Sequence, residues 1–211
     1  MTDETPPPRL FVKNKYNNTV LNWHRAPQKE FHFYGGAFWN AAKKLLDNED
    51  LDRRPIASFD ACVVVYLYRH ALELFLKGIL IGGGGELIDP CPSPQKVVKA
   101  RHSLTELLPH VRRVFTECGW DTFGSKAAVT FDDFTAIVEE FERTDPSSVS
   151  FRYPVKKKDL AAALDSHFTF SVRRFASIMD EVLDTLSGAC DSLPDIANDR
   201  ASYCIASHRA S

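Results

Sequence analysis

The sequence predicts an all-α protein, a bundle of about five helices, and three observations carry that prediction. Long segments repeat apolar residues every three or four positions, the spacing of one helix face. Gly- and Pro-rich stretches separate them. No segment has the alternation of a core strand. With 211 residues, the chain is long enough for one generous domain with a real core. It divides into an N-terminal extension over 1–26, partly disordered, a helical domain over 27–188 and a polar, mobile tail over 189–211.

The elements follow in order. Residues 9–23, RLFVKNKYNNTVLNW, hold short apolar pieces that allow a small β-arm or an irregular strap. From Pro27 the pattern turns helical, with Phe31, Tyr34, Phe38, Ala41, Ala42, Leu45 and Leu46 on one side. Gly35-Gly36 within it marks either a weak spot or the close approach of another backbone. Ser58 suits the N-cap of a second helix, which runs to the glycines at 82–85. Those glycines predict a helix stop and a flexible connector, followed by more loop through DPCPSPQ. A third helix spans His102 to Phe115. A fourth follows Thr130, with Thr130 and Asp133 as caps and Phe131, Phe134, Ile137, Val138 and Phe141 as its stripe. The fifth and longest starts at Leu160 and stops at Gly188.

Composition excludes several classes. The formal net charge is −2, so any basic surface is local rather than global. The start, MTDETPPPRL, resembles no secretory segment. The longest apolar run, Ala61 to Tyr68, is broken by Arg69 and is too short to span a bilayer. The five cysteines are odd in number and lack a C-x-x-C pair, which argues against a disulfide framework and a zinc site. No membrane, metal or cofactor is expected, and a cytoplasmic location is.

One helix breaks its own pattern. In YLYRHALELFLKGIL, residues 66–80, an apolar run is interrupted by Arg69, His70, Glu73 and Lys77. At helical pitch these four fall within a sector of about 100°. Arg69, Glu73 and Lys77 follow i, i+4, i+8 spacing, so Glu73 pairs with either cation. Such a stripe is most often the solvent side of a helix. Tyr66 and the lack of small solvated residues argue instead for a covered face. A cover exists in DPSSVSFRYP, residues 145–154, which offers Asp145, Ser147, Ser148, Arg152 and Tyr153 in a Pro-bounded loop. The expected contacts are Glu73 with Arg152, or Asp145 with Arg69.

Three blocks occur in order: Y-R-H-x-x-E-L-x-L-K on the second helix, H-S-L-x-x-L-L at the third, and D-P-x-S-x-x-F-R-Y-P before the last. Together they resemble a branch of the HEPN superfamily over roughly residues 30–187. The resemblance implies a HEPN-like helical bundle that dimerises. It also implies a place in defence or toxin–antitoxin systems, with RNA or a protein partner such as an antitoxin. Many members are metal-independent ribonucleases that carry R-x4–6-H on a late helix. Here the late helix places His167 before Arg173 and Arg174, the reverse order. Arg25 to His32 fits the spacing at the wrong end of the chain. Nuclease activity is therefore not carried over residue by residue.

Smaller features complete the reading. Lys156, Lys157 and Lys158 form a basic cluster at an expected helix start, against the helix dipole, which fits phosphate contact with RNA or simple solvation. His102 reads as a cap or packing residue, and Cys118 as a buried, inert thiol. Three functions stay open. The chain is an interaction or RNA-associated module, with the seam and Arg152 as its polar centre. Alternatively it is a ribonuclease using His70 with Arg69 or Arg152. The third possibility is a structural dimerisation domain in which the seam fixes bundle register.

Overall fold

A computed structural model describes residues 30–47, 58–100, 102–120, 122–156, 158–164 and 168–209. Six α-helices occur among them: α1 Phe31–Leu46, α2 Ser58–Ile81, α3 Pro94–Lys99, α4 Leu104–Glu117, α5 Phe131–Thr144 and α6 Val172–Arg209. Single 3-10 turns occupy Gly84–Leu87 and Pro146–Ser148. The described residues contain no strand; an isolated antiparallel bridge joins Val155 to Ala162. The all-α expectation stands. None of these helices is long and apolar enough to cross a membrane.

The apolar run of α2 makes it the central helix. Every residue from Ala71 to Ile81 is buried, and α1, α3, α4 and α6 all pack on it. Gly35 allows the close approach that its sequence position hinted at. A Cβ there would lie 3.2 Å from the Phe75 ring and 3.3 Å from the Ala71 carbonyl oxygen. Gly78 answers from the other side, where a Cβ would sit 3.2 Å from the His32 nitrogen. A second polar tie lies nearby: Asp180 of α6 accepts from Trp39 Nε1 at 2.6 Å and from Tyr68 Oη at 2.8 Å. Burial, then the Asp180 carboxylate, pushes the Tyr68 phenol well above its usual value.

The caps explain where the shorter helices begin. Ser93 Oγ accepts from Lys96 N, and Pro94 takes the first helical position. The expected loop DPCPSPQ therefore ends in a short helix from Pro94, because six residues are too few to show a period. Ser103, not His102, caps α4 by accepting from Glu106 N at 3.3 Å. Thr130 and Asp133 form the expected reciprocal box at the start of α5. The glycine connector after α2 is a packed turn rather than an open one, with Gly84 and Gly85 buried. Cys118 is half-buried.

Both ends of the last helix differ from the sequence reading. Leu160, Leu164 and Phe168 keep helical spacing, yet α6 begins only at Val172, after Ser171, whose Oγ accepts from Arg174 N. Upstream, Lys156 N donates to Ala161 O at 2.8 Å and Ala163 N to Pro154 O at 3.0 Å, closing a hairpin-like excursion. Leu160 sits there at φ +56°, outside any right-handed helix. At the far end, α6 passes through Gly188 to Arg209. Leu186, Ala189, Cys190 and Leu193 are buried and Ile196 and Ala197 pack beside them, so the apolar stripe continues beyond the glycine. The segment expected as a polar tail is therefore helical to Arg209. The expected extension over 1–26, with the strap at 9–23, and Arg25 of the Arg25–His32 spacing lie outside the described residues.

Candidate functional site

Three helices, α1, α4 and α5, and the loop after α5 converge on the stripe of α2. Arg69 is 0% exposed, Glu73 2% and Lys77 6%. The stripe is covered, and the solvent-side reading is corrected. Buried charges persist only when paired and hydrogen-bonded, and each of these is.

Arg69 is the hub. Its Nη2 donates to Glu142 Oε1 of α5 and to the His102 carbonyl, both at 2.9 Å. Its Nε lies 3.5 Å from Asp145 Oδ2, and its Nη1 4.0 Å from Glu73 Oε2. Burial pulls the guanidinium below its ordinary value, and the charges of Asp145, Glu142 and Glu73 oppose that pull. A guanidinium remains charged in such surroundings. Glu142 does a second job: the same Oε1 accepts from Leu104 N at 2.8 Å. One carboxylate therefore binds Arg69 and the N-terminus of α4 together, where a negative charge is favoured.

Asp145 turns the chain out of α5. Its Oδ1 accepts from Val149 N at 2.7 Å and Ser150 N at 2.6 Å, while Oδ2 faces Arg69. The buried Ser148 follows at φ +56°, and Arg152 Nε donates to the Ser148 carbonyl. The side chain of Ser147 lies outside what is described. The Asp145–Arg69 contact matches the sequence expectation. The Glu73–Arg152 contact does not form. Arg152 instead lies over the rings of Tyr66, at 5.5 Å, and Tyr153, at 6.0 Å.

Glu73 is answered from within its own side of the bundle. Lys77 Nζ donates to Oε1 at 2.7 Å, and His102 Nδ1 lies 3.0 Å from Oε2. His70 Nδ1 faces the same Oε2 at 3.9 Å, beyond hydrogen-bond length. Burial alone would raise this carboxyl. The pull of His70, Lys77 and His102 outweighs it and holds the group at about 2. An ionised carboxylate only accepts, so His102 Nδ1 is the donor of this pair, and Nε2 is the ring nitrogen that Glu73 does not engage.

The two histidines are the open side of the cluster. The side chain of His70 is 22% exposed and that of His102 41%. The His70 ring stacks on Tyr66 at 5.8 Å and meets the Phe38 edge at 4.4 Å. A row of four side chains results: Arg152, Tyr66, His70 and Phe38. Arg69, by contrast, has no surface with which to touch a substrate. Its role is to hold the loop that carries Arg152. Lys156 and Lys158 are exposed in the excursion before α6. They do not oppose a helix dipole, because α6 starts at Val172. Lys157 and His167 lie outside the described residues.

Sequence reasoning missed Glu142 and His102 as members. Glu142 had a signal: it falls four residues after the buried Val138, on the core face of α5. His102 had its place at the head of the H-S-L-x-x-L-L block, which does not say what its ring faces. No group of three or more His, Cys, Asp or Glu among the described residues is arranged to hold a metal ion. No family model, curated protein or solved structure matches the chain, and its site is read from its own geometry.

Proposed function

We propose that the chain is a HEPN-like interaction or RNA-associated module of a defence or toxin–antitoxin type system, cytoplasmic and acting as a homodimer. One observation supports this reading above the others. The three blocks that carry the family resemblance meet in one network: Arg69 and Glu73 from the first, His102 from the second and Asp145 from the third. Blocks that were separate in sequence are joined by contacts that a chance pattern does not require. On this reading the buried half of the network fixes the bundle. The exposed groups, Arg152 and Tyr153 near His70 and Lys156 and Lys158 further along the same segment, face RNA or a protein partner. Cations with an aromatic ring between them suit phosphates and stacked bases. The test is binding of single-stranded RNA across a salt series. Replacing Lys156 and Lys158 by Gln is expected to weaken binding and flatten the salt slope. An unchanged affinity and slope removes RNA from the reading.

A second reading, a metal-independent ribonuclease, draws on the convergence of His70 and His102 on one carboxylate oxygen. Two half-exposed imidazoles on one carboxylate are the side chains placed to exchange protons with the ribose 2′-OH and the leaving 5′-oxygen. Arg152, not the buried Arg69, is the cation available to the phosphate. RNA incubated in EDTA with the native chain, His70→Ala and His102→Ala separates the readings. Cleavage lost in both variants supports the nuclease; no cleavage by the native chain rejects it.

A further inference from the structure

A cavity of about 290 Å³ opens between α2, α5 and the start of α6. Phe141, Phe151, Phe168, Phe170, Phe175 and Met179 line it, with Glu140, Thr144, Ser171 and Arg174 among its remaining lining. Its rings form a chain of edge and tilted contacts: Phe151 to Phe168 at 6.3 Å, Phe168 to Phe170 at 5.4 Å and Phe170 to Phe175 at 6.0 Å. The volume sits at the lower edge of small-molecule pockets, which run about 300–1,000 Å³. It is suited to one large side chain.

The apolar surface does not stop at the cavity. The chain leaves its wall at Phe151 and returns to it at Phe168, so the excursion between them is anchored at the cavity at both ends. That excursion turns large apolar side chains outward. Leu160 is 73% exposed, and Tyr153 and Val155 are exposed as well, as are the cavity's own Phe168 and Phe170. Clustered exposure of this kind marks an interaction surface. A small molecule filling the cavity would leave Tyr153, Val155 and Leu160 in water. The charges around this surface are mostly of one sign: Arg152, Lys156, Lys158 and Arg174 are exposed on the same segment and its return, against Asp159 and Glu140.

We infer that this cavity and the excursion beside it dock an acidic amphipathic segment of a partner protein, which seats one aromatic or branched side chain among the phenylalanines. The inference rests on the interaction-module reading and gives that module's partner a chemistry. The apolar anchor supplies the affinity, as buried aromatic anchors do at protein interfaces. The lysines and arginines select acidic flanks and speed encounter.

The test is selection of a random short-peptide library displayed on phage against the full chain, followed by anisotropy titration of a labelled selected peptide. The expected consensus carries one aromatic or branched residue flanked by Asp or Glu. Phe168→Asp is expected to weaken that peptide at least about tenfold with an unchanged unfolding midpoint, because the ring is partly in solvent. A Lys156→Glu, Lys158→Glu chain is expected to lose a similar factor at low salt and little at high salt. A consensus without acidic residues, no enrichment, or a peptide indifferent to Phe168→Asp overturns the inference. A single-stranded oligouridine bound equally by the native chain and Phe168→Asp, with no peptide enriched, overturns it while leaving the RNA reading standing.

Discussion

Arg69 and Asp145 meet inside the bundle, Nε to Oδ2 at 3.5 Å, with neither side chain exposed. The pair joins the centre of α2 to the loop that follows α5. Its other oxygen is spent on the turn, where two backbone amides donate to it. Removing Asp145 therefore takes one counter-charge from a buried cation that keeps Glu142 and Glu73, and the acceptor from two backbone donors, at once. Asp145→Ala is expected to lower the unfolding free energy by about 3–5 kcal/mol in urea titration. Combined with Arg69→Met, the loss is expected to be smaller than the two single losses together. Additive losses would show that the two groups act independently.

Glu73 predicts a pH dependence. Its carboxyl is held at about 2 in the folded chain against an ordinary 4.5. A depressed carboxyl stabilises the folded state above its unfolded value. That contribution declines as pH falls from about 4.5 toward 2, where both states bind the proton. Its size is on the order of 3 kcal/mol. The native urea midpoint is expected to drop between pH 5 and pH 2 by more than that of Glu73→Gln, which lacks the titrating group. Parallel curves for the two chains would remove Glu73 as the source.

Glu142 is predicted to govern the start of α4. With Oε1 shared between Arg69 and Leu104 N, Glu142→Ala takes the acceptor from the first amide of α4 and the hydrogen-bonded counter-charge from Arg69 together, leaving the Ser103 cap in place. A stability loss of about 2 kcal/mol or more is expected. Hydrogen exchange reads the cap separately: the Leu104 amide is expected to lose protection while Thr130-capped amides in α5 keep theirs.

The Tyr68–Asp180 hydrogen bond of 2.8 Å spans α2 and α6 and is independent of the Arg69 network. Tyr68→Phe keeps the ring's packing and removes the hydroxyl. A loss of about 1.5 kcal/mol is expected, the usual worth of a hydrogen bond to a charged group. A neutral result would place the stabilising contact on Trp39 instead, whose Nε1 shares the same oxygen.

What the sequence showed plainly was what repeats locally. The apolar run of α2, the stripe of α5 and the Thr130–Asp133 box are set by neighbours three or four residues away. Arg69, Glu73 and Lys77 were visible for the same reason, since their common face is a matter of pitch. Asp145 was visible because a Pro-bounded loop needed a place to pack. Arg152 was assigned the wrong partner, because nothing in its neighbours says whether a guanidinium turns to a carboxylate or to a ring. Glu142 and Asp180 were missed as single carboxylates in amphipathic helices. Their donors are Leu104 and Arg69 for one, Trp39 and Tyr68 for the other, all far away in the chain. Spacing of 160, 164 and 168 imitated a helix that Leu160's positive φ forbids.

The continuation of α6 to Arg209 has a hydrodynamic consequence. At the standard rise its 38 residues extend about 57 Å. A compact sphere of this chain length would be only about 43 Å across. That helix alone is longer than such a sphere is wide, so frictional drag is expected to exceed that of a sphere of 23.8 kDa. A single copy will elute early from a sizing column, at a volume that imitates a larger species. Mass by light scattering, rather than elution volume, distinguishes one copy from two.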